Sequence, residues 1–301
     1  MRILLTGKDG QIGSELNKIL AQFGEVTATG RSEMDLANSD QIRQIMHQVK
    51  PELIINAGAY TAVDKAEFEP ELAEAVNGVA PKILAEEAIN QGALLIHYST
   101  DYTYSGKMRN RPYSESDSPA PNSVYGKTKF EGDQAIERSG VSHLIFRTGW
   151  VYSQNGKSFL RTILQLAKEK EELRVVNDQT GTPTWCRSIA DVTGKIIGQM
   201  LDKSEGSLSK TASSISGVYH MTCRGQTSWH GFAQAILELA RTDNMPRLVA
   251  IPTKEYPTPA TRPLYSVLSN AKFHKTFGVE LPHWEDALKQ CLNNSDNLLI
   301  I

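Results

Sequence analysis

The chain opens on a short apolar run, Met1 to Leu5, that passes into Thr6-Gly7-Lys8-Asp9-Gly10-Gln11-Ile12-Gly13. From Ser14 to Phe23, Leu16, Ile19 and Leu20 fall on one face at helical spacing, so the order is strand, glycine turn, helix. Val26 to Thr29 and Leu53 to Asn56 read as further short strands, separated by a helical stretch from Ser39 to Val49 that ends before Pro51. Pro70 to Gln91 is mostly helical, with Gly92 as its stop signal, and Ala93 to Tyr98 is the next strand. A helix carrying Tyr125 and Lys129 precedes a strand from Ser142 to Arg147. Strands and helices in alternation predict an α/β fold, a doubly wound parallel sheet with helices on both faces.

Beyond Trp150 the pattern loosens. Lys203 to Ser216 is rich in Ser, Lys and Gly and reads as an exposed loop. Helical stretches near Ser228 to Arg241, Asn270 to Phe277 and His283 to Asn293 are interrupted by a proline-rich run, Pro252 to Pro263. The expected organisation is a dinucleotide-binding domain over 1–150 and, over 151–301, mainly a smaller C-terminal substrate-binding lobe. A helix near 187–201 is expected to pack back on the first domain.

Composition narrows the class. A chain of 301 residues with 40% hydrophobic content can bury a large core. A net charge of −2 gives no reason to expect nucleic acid or an anionic membrane as a partner. Cys186, Cys223 and Cys291 are odd in number and widely spaced, which suits neither a disulfide framework nor a metal site. The first residues read as a strand rather than a signal peptide, and no apolar run approaches the roughly 20 residues of a membrane span. The expectation is a cytoplasmic protein.

The glycine turn lies where a Rossmann-like fold binds a dinucleotide. Gly7 permits the tight turn, Gly10 lets the backbone approach a pyrophosphate, and Gly13 lets the helix pack closely on the strand; Gln11 and Ile12 complete this cofactor-binding turn. At the end of the second strand NAD-binding folds usually carry an acid, but here stand Thr29-Gly30-Arg31-Ser32. Arg31 can clamp a 2′-phosphate and Ser32 can add a hydroxyl, which favours NADPH, while Glu33 leaves room for NADH. Asp35 and Leu36 would flank the adenine. After the third strand, the small residues of Asn56-Ala57-Gly58-Ala59-Tyr60-Thr61 let the backbone approach the cofactor ribose, so Ala57, Ala59, Tyr60 and Thr61 are cofactor-binding candidates. The charges of Asp64, Lys65 and Glu67 read as a structural ion pair or a helix start, and no proton transfer is assigned to them.

Tyr125 and Lys129 are four apart, hence on one helix face about 6 Å from each other. A lysine ammonium so placed stabilises a tyrosinate and lowers the phenol pKa, and such a tyrosine hands a proton to a carbonyl oxygen near neutral pH. Ser99-Thr100-Asp101 ends the strand before this helix. Since strand side chains alternate faces, either Thr100 or Ser99 points into the site, and Asp101 offers an acceptor suited to a sugar hydroxyl.

Taken together, these segments resemble one family closely. They include Gly7-Gly10-Gly13, Thr61 to Glu67, His97 to Tyr102, Tyr125 to Lys129, Phe146 to Tyr152, Asn177-Asp178-Gln179 with Gly181 to Thr184, and Tyr256 to Ala260 with Arg262-Pro263. In that order along nearly the whole chain they are similar to dTDP-4-dehydrorhamnose reductases, members of the extended short-chain dehydrogenase/reductases. The resemblance implies the last step of dTDP-L-rhamnose synthesis, reduction of a 4-keto sugar nucleotide, which supplies glycans such as the lipopolysaccharide O-antigen. It implies that Tyr125 protonates the C4 oxygen, Lys129 bonds the nicotinamide ribose, Thr100 orients the carbonyl, and Trp150 packs on the sugar or its methyl group. Gln179 and Arg262 become contacts to the nucleotide end. Some members carry Mg²⁺ through acids, one matched here by Glu15. Arg187 falls where another acid is expected, and the C-terminal helix offers Asn293 and Asn294. That departure argues against a Mg²⁺-bridged dimer, leaves no residue to assign to a metal, and keeps monomer and weak homodimer both open.

Two other readings stand beside it. One is an NAD-dependent sugar-nucleotide epimerase or dehydratase, although a dehydratase commonly places Glu after the Thr-Asp pair and here Tyr102 follows Asp101. The other is a non-catalytic regulatory subunit of the same fold, as in methionine adenosyltransferase assemblies. Such subunits lose the Trp-bearing segment that this chain keeps.

Overall fold

In the computed structural model, which describes residues 1–204, 206–240 and 245–293, the apolar runs pair into one six-stranded sheet. Its first half contains β1 (Arg2–Thr6), α1 (Gln11–Ile19), β2 (Glu25–Thr29), α2 (Ser39–Val49) and β3 (Leu53–Asn56). Short helices α3 (Val63–Ala66) and α4 (Pro70–Glu74) lead through a π-helical turn over Ala75–Val79 into α5 (Ala80–Gln91). Next come β4 (Leu94–Thr100), α6 (Val124–Ser139) and β5 (His143–Thr148). The later part holds β6 (Val151–Tyr152), α7 (Phe159–Glu169), β7 (Glu172–Val176), β8 (Thr180–Gly181), β9 (Thr184–Trp185) and α8 (Cys186–Asp202). It closes with α9 (Leu208–Ser213), β10 (Gly217–His220), β11 (Thr227–Ser228), α10 (Trp229–Ala240), β12 (Arg247–Ile251), α11 (Ala271–Phe277) and α12 (Trp284–Asn293).

All pairs in the main sheet are parallel, in the order β10-β5-β4-β3-β1-β2. The order reverses between β1 and β3, which is where such sheets open a crevice at their carboxyl ends. β3, β4 and β5 are buried along their whole length, as strands covered on both faces must be. Alternation then sorts the side chains. Ile3, Leu5, Ile55, Ile96 and Phe146 face Leu16 of α1 and Ile189 and Ile196 of α8. Leu4, Ile54, Leu95 and Ile145 face Ile42 of α2, Leu84 of α5 and Ile136 of α6.

Several boundaries differ from the sequence reading, each for a local reason. The first helix begins at Gln11, directly after an extended Gly10, and gives way at Leu20–Gln22 to a 3-10 turn. The single helix expected over 70–91 is broken by the π-helical turn. Within the expected loop 203–216, Leu208 and Ala212 bury themselves and Ser207 caps Lys210 N, so a short helix forms. Arg241, the expected end of another helix, and Asn294 lie outside the described residues. The later part also reaches into the main sheet, because β10 pairs with β5 and α8 packs along α1. No helix among the described residues is long and apolar enough to cross a membrane.

The docking of α6 depends on the absence of side chains. A Cβ on Gly132 would lie 2.2 Å from the Asn77 carbonyl oxygen in the π-helical turn, and one on Gly126 would lie 2.4 Å from the Tyr102 carbonyl oxygen. Gly132→Ala is therefore expected to destabilise the protein by about 1–3 kcal/mol, the range for forcing extra methyl groups into packed interiors. Urea denaturation reads this directly, and a midpoint equal to that of the unaltered protein would mean α6 shifts freely.

Candidate active site

At the crevice, β1 ends on Thr6 and the chain turns at Gly7 with φ +70°, in the left-handed region. A Cβ on Gly7 would stand 2.6 Å from the Gly58 Cα, and one on Gly13 would stand 2.0 Å from the Gly7 carbonyl oxygen. The β1 and β3 loops and the start of α1 thus meet backbone to backbone. Gly10 at the α1 N-cap supplies no side-chain acceptor, and the first turn of α1, Gln11-Ile12-Gly13, carries no acid. Its leading N–H groups are therefore available to an anion, as a pyrophosphate requires. The buried Gln11 Oε1 lacks a hydrogen-bond partner. Thr6 Oγ1 accepts from Gly58 N at 3.1 Å and donates to Asn56 Oδ1 at 2.6 Å. Tyr60 N donates to Asn77 Oδ1 at 2.9 Å and Asn77 Nδ2 donates to the Tyr60 carbonyl at 3.1 Å, which holds the loop carrying Ala57, Ala59 and Thr61. Leu36 packs against Gly58, where a Cβ would meet its Cδ1 at 2.6 Å.

The end of β2 is more crowded with charge than the sequence suggested. Glu33 accepts from Gly30 N at 2.8 Å and from Lys8 Nζ at 2.7 Å. Those donors, with the Ser32 hydroxyl, hold its carboxyl down at about 2. A Cβ on Gly30 would lie 2.1 Å from the Asp9 carboxylate, the movable end of an exposed side chain. The Arg31 side chain is 78% exposed and touches Asp35 only at 3.9 Å, so it is free to turn toward a ligand.

Ser123 caps α6 by accepting from Gly126 N at 3.1 Å, and the first turns place Tyr125 and Lys129 on one face. The Tyr125 phenol lies beside the Thr100 hydroxyl, which accepts from Tyr102 N at 3.2 Å and donates to Asp101 Oδ1 at 3.1 Å. The Tyr102 ring stands edge-on to Tyr125, with centroids 5.5 Å apart. Ser99 points to the opposite face of β4, and its buried hydroxyl has no hydrogen-bond partner.

The electrostatics correct one expectation. Burial pushes the Tyr125 phenol well above its ordinary value, and the lysine does not offset this. Lys129 turns its Nζ to the Tyr98 carbonyl at 2.7 Å and to His97 Nε2 at 3.1 Å, and burial lowers its own pKa to about 8. Asp101 is buried with Oδ2 unpartnered and close against Gly149, and burial raises its carboxyl to about 6.

Beneath this group runs a layer that sequence reasoning missed. The Asn56 amide nitrogen lies 3.0 Å from His97 Nδ1. Arg147 Nε donates to Asp133 Oδ2 at 3.0 Å, Arg147 donates to Tyr104 Oη at 3.0 Å, and Tyr104 Oη lies 2.7 Å from His220 Nε2. The available signal was a polar residue on the same face near the end of each successive strand: Thr6, Asn56, His97, Arg147, His220.

The expected substrate contacts are placed less simply. Trp150 has φ +49°, an uncommon conformation for a bulky side chain. It stacks on Trp229 at 3.5 Å and 3°, and a Cβ on Gly181 would lie 2.3 Å from its ring. Trp229 thus covers one face of the Trp150 ring. Gln179, expected at the nucleotide end, accepts from Trp229 Nε1 at 3.1 Å and donates to Thr253 Oγ1 at 3.1 Å, so both ends of its amide are engaged within the protein. Arg262 donates to Asp64 Oδ2 at 2.6 Å and to Tyr102 Oη at 3.2 Å, which brings it beside the tyrosine pair. Glu15 is paired with Lys18 at 2.5 Å and Arg187 at 3.4 Å. Among the described residues no cluster of three or more His, Cys, Asp or Glu is arranged to hold a metal.

Comparison with known proteins bears on the whole chain. A family model described as RmlD substrate binding domain matches residues 1–297. The dTDP-4-dehydrorhamnose reductase of Burkholderia thailandensis is 45% identical, over 98% of this chain and 99% of that protein. A solved dTDP-4-dehydrorhamnose reductase from Clostridium acetobutylicum aligns with a TM-score of 0.88 at 36% identity, over 97% of this chain and 99% of that one. Another, from Bacillus anthracis in complex with NADP, aligns with a TM-score of 0.86 at 31% identity, over 98% and 99%. Likeness in both sequence and backbone from end to end makes this chain a member of the dTDP-4-dehydrorhamnose reductase family.

Proposed function

We propose that this protein reduces the C4 keto group of dTDP-4-dehydro-L-rhamnose to give dTDP-L-rhamnose, with NADPH as the reductant. The observation that carries the reading is the meeting of Thr100 at the carboxyl end of β4 with Tyr125 and Lys129 on one face of α6, beside the glycine turn of the crevice. When bound, the reduced nicotinamide supplies a hydride to C4. Tyr125 gives its proton to the C4 oxygen, which completes the alcohol, and its raised pKa keeps that proton in place across the neutral range. Thr100 orients the carbonyl beside the phenol. Lys129, whose Nζ donates to the Tyr98 carbonyl, would bond the nicotinamide ribose with a remaining N–H.

The cradle fits the cofactor by its own construction, with close glycine contacts and uncapped N–H groups at α1. Arg31, Ser32 and Lys8 would receive the 2′-phosphate, and Glu33, once turned from Lys8, leaves room for NADH. The Bacillus anthracis relative, solved with NADP, supports this choice. On the substrate side, Asp101 accepts a sugar hydroxyl, Arg262 offers its remaining N–H groups to the diphosphate, and Gln179 acts by fixing the Trp229–Trp150 stack. Residues 151–301 form mainly the substrate lobe. The protein works in the cytoplasm as a monomer or weak homodimer, without Mg²⁺.

Tyr125→Phe removes one hydroxyl, so NADPH binding should persist while kcat falls at least about a hundredfold. Turnover near that of the unaltered protein would remove the tyrosine from the reaction. Arg31→Ala should weaken NADPH binding by about 1.5 to 3 kcal/mol, the scale of a charged hydrogen bond, and leave NADH almost unchanged. Titration calorimetry with both cofactors separates this from equal losses, which would mean that Arg31 only supports its loop.

Asp101 makes a prediction about pH. Its folded pKa of about 6 lies above the ordinary value of 3.8, so the folded chain holds this proton more tightly than the unfolded chain. Its contribution to stability therefore falls as pH rises from about 4 to 6 and stays low above that range. Asp101→Asn lacks this loss and should gain about 2–3 kcal/mol relative to the unaltered protein between pH 4 and 7. Parallel denaturation curves across that range would contradict the burial argument.

A further inference from the structure

His97 is fully buried in β4, and both of its ring nitrogens have partners. Nδ1 lies 3.0 Å from Asn56 Nδ2 and Nε2 lies 3.1 Å from Lys129 Nζ. The Thr6 hydroxyl donates to Asn56 Oδ1 at 2.6 Å, so the amide nitrogen faces the imidazole and donates to Nδ1. A neutral imidazole that accepts at Nδ1 carries its proton on Nε2. That N–H points at Lys129 Nζ, which can receive it only as the free amine. With the Asn56 amide turned over the logic reverses: Nδ1–H donates to Oδ1, and Nε2 accepts from an ammonium.

The other charged groups near His97 do not break this link. On α6, Asp133 Oδ1 is 3.9 Å from His97 Nε2, but Oδ2 is committed to Arg147 of β5. Burial first, and then the neighbouring Lys129, act against protonation of the imidazole. Direct hydrogen bonds reach His97 from Asn56 and Lys129.

We propose that His97 is a positioning residue that sets whether Lys129 is amine or ammonium, and that Thr6 and Asn56 select its tautomer. Thr6 also accepts from Gly58 N at 3.1 Å, so the reporter of this state sits in the loop that meets the cofactor. Lys129 shares one face of α6 with Tyr125, so this charge state is set one turn from the proton donor. The proposal rests on the reductase reading above. A histidine that merely filled the core would affect stability alone.

The test is nitrogen NMR of histidine-labelled protein together with the pH profile of kcat. The unaltered protein should show the Nε2–H tautomer at His97. Asn56→Asp presents only acceptors to Nδ1 and should convert His97 to the Nδ1–H tautomer. It should also raise the alkaline limb of kcat by about 1 pH unit or more, the scale of a newly favoured ammonium. An Nδ1–H tautomer in the unaltered protein would overturn the proposal, and so would an alkaline limb that stays in place after the tautomer has changed. The tautomer measurement on the unaltered protein needs no variant to fold. It also decides the matter independently of turnover, so absence of reductase activity would count against the function alone.

Discussion

A buried lysine is the constraint around which this site is assembled. Lys129 is 1% exposed, and removing such a group from water costs several kcal/mol unless its N–H groups find acceptors. The Tyr98 carbonyl accepts from Nζ, the His97 ring lies 3.1 Å from it, and Asp133 one turn further along α6 adds an opposite charge. Asp133 is itself tied to buried Arg147, and Arg147 to Tyr104 and His220. Charge on α6 is thereby matched to polar residues from several strands of the sheet. Gly126 and Gly132 let the helix come close enough for the match.

The same docking explains the character of Tyr125. Placed against Thr100, Asp101 and the edge of Tyr102, the phenol loses water and holds its proton tightly. That is the state a reduction needs before hydride transfer, since the ketone must receive a proton as well as a hydride. Lowering of the phenol pKa by a free lysine does not operate in the structure, because Lys129 Nζ is directed into the sheet rather than across the helix face.

Beyond the proton donor, the later part of the chain adds shape more than charge. A left-handed Trp150 stacked on Trp229, with Gln179 fastening the second indole, forms a rigid wall near the end of β5. Backbone conformations of this kind cost about 1–3 kcal/mol and persist where the surroundings over-determine them. On the far side of the crevice, Glu15 bonds Lys18 and Arg187, an exposed-edge ion pair linking α1 to α8. The first and later parts of the chain therefore share one seam, which is also apolar along Leu16, Ile189 and Ile196.

What the sequence determined by itself was local. Gly7, Gly10 and Gly13 announce a turn that only glycine allows, the period of the apolar residues separates strands from helices, and Tyr125 and Lys129 share a face because a helix repeats every 3.6 residues. Family likeness then named the chemistry, through motifs spread along the whole chain. Tertiary structure decided the rest because it depended on register between distant segments. Thr6, Asn56 and His97 become neighbours only when β1, β3 and β4 align residue for residue, and each is more than 40 positions from the next. The direction of Lys129, the partner of Trp150 and the turn of Gln179 toward Trp229 follow from such alignments, which no single stretch of sequence contains. Side chains that act through local backbone geometry were legible, and those that act through a partner across the sheet became so only once the sheet was formed.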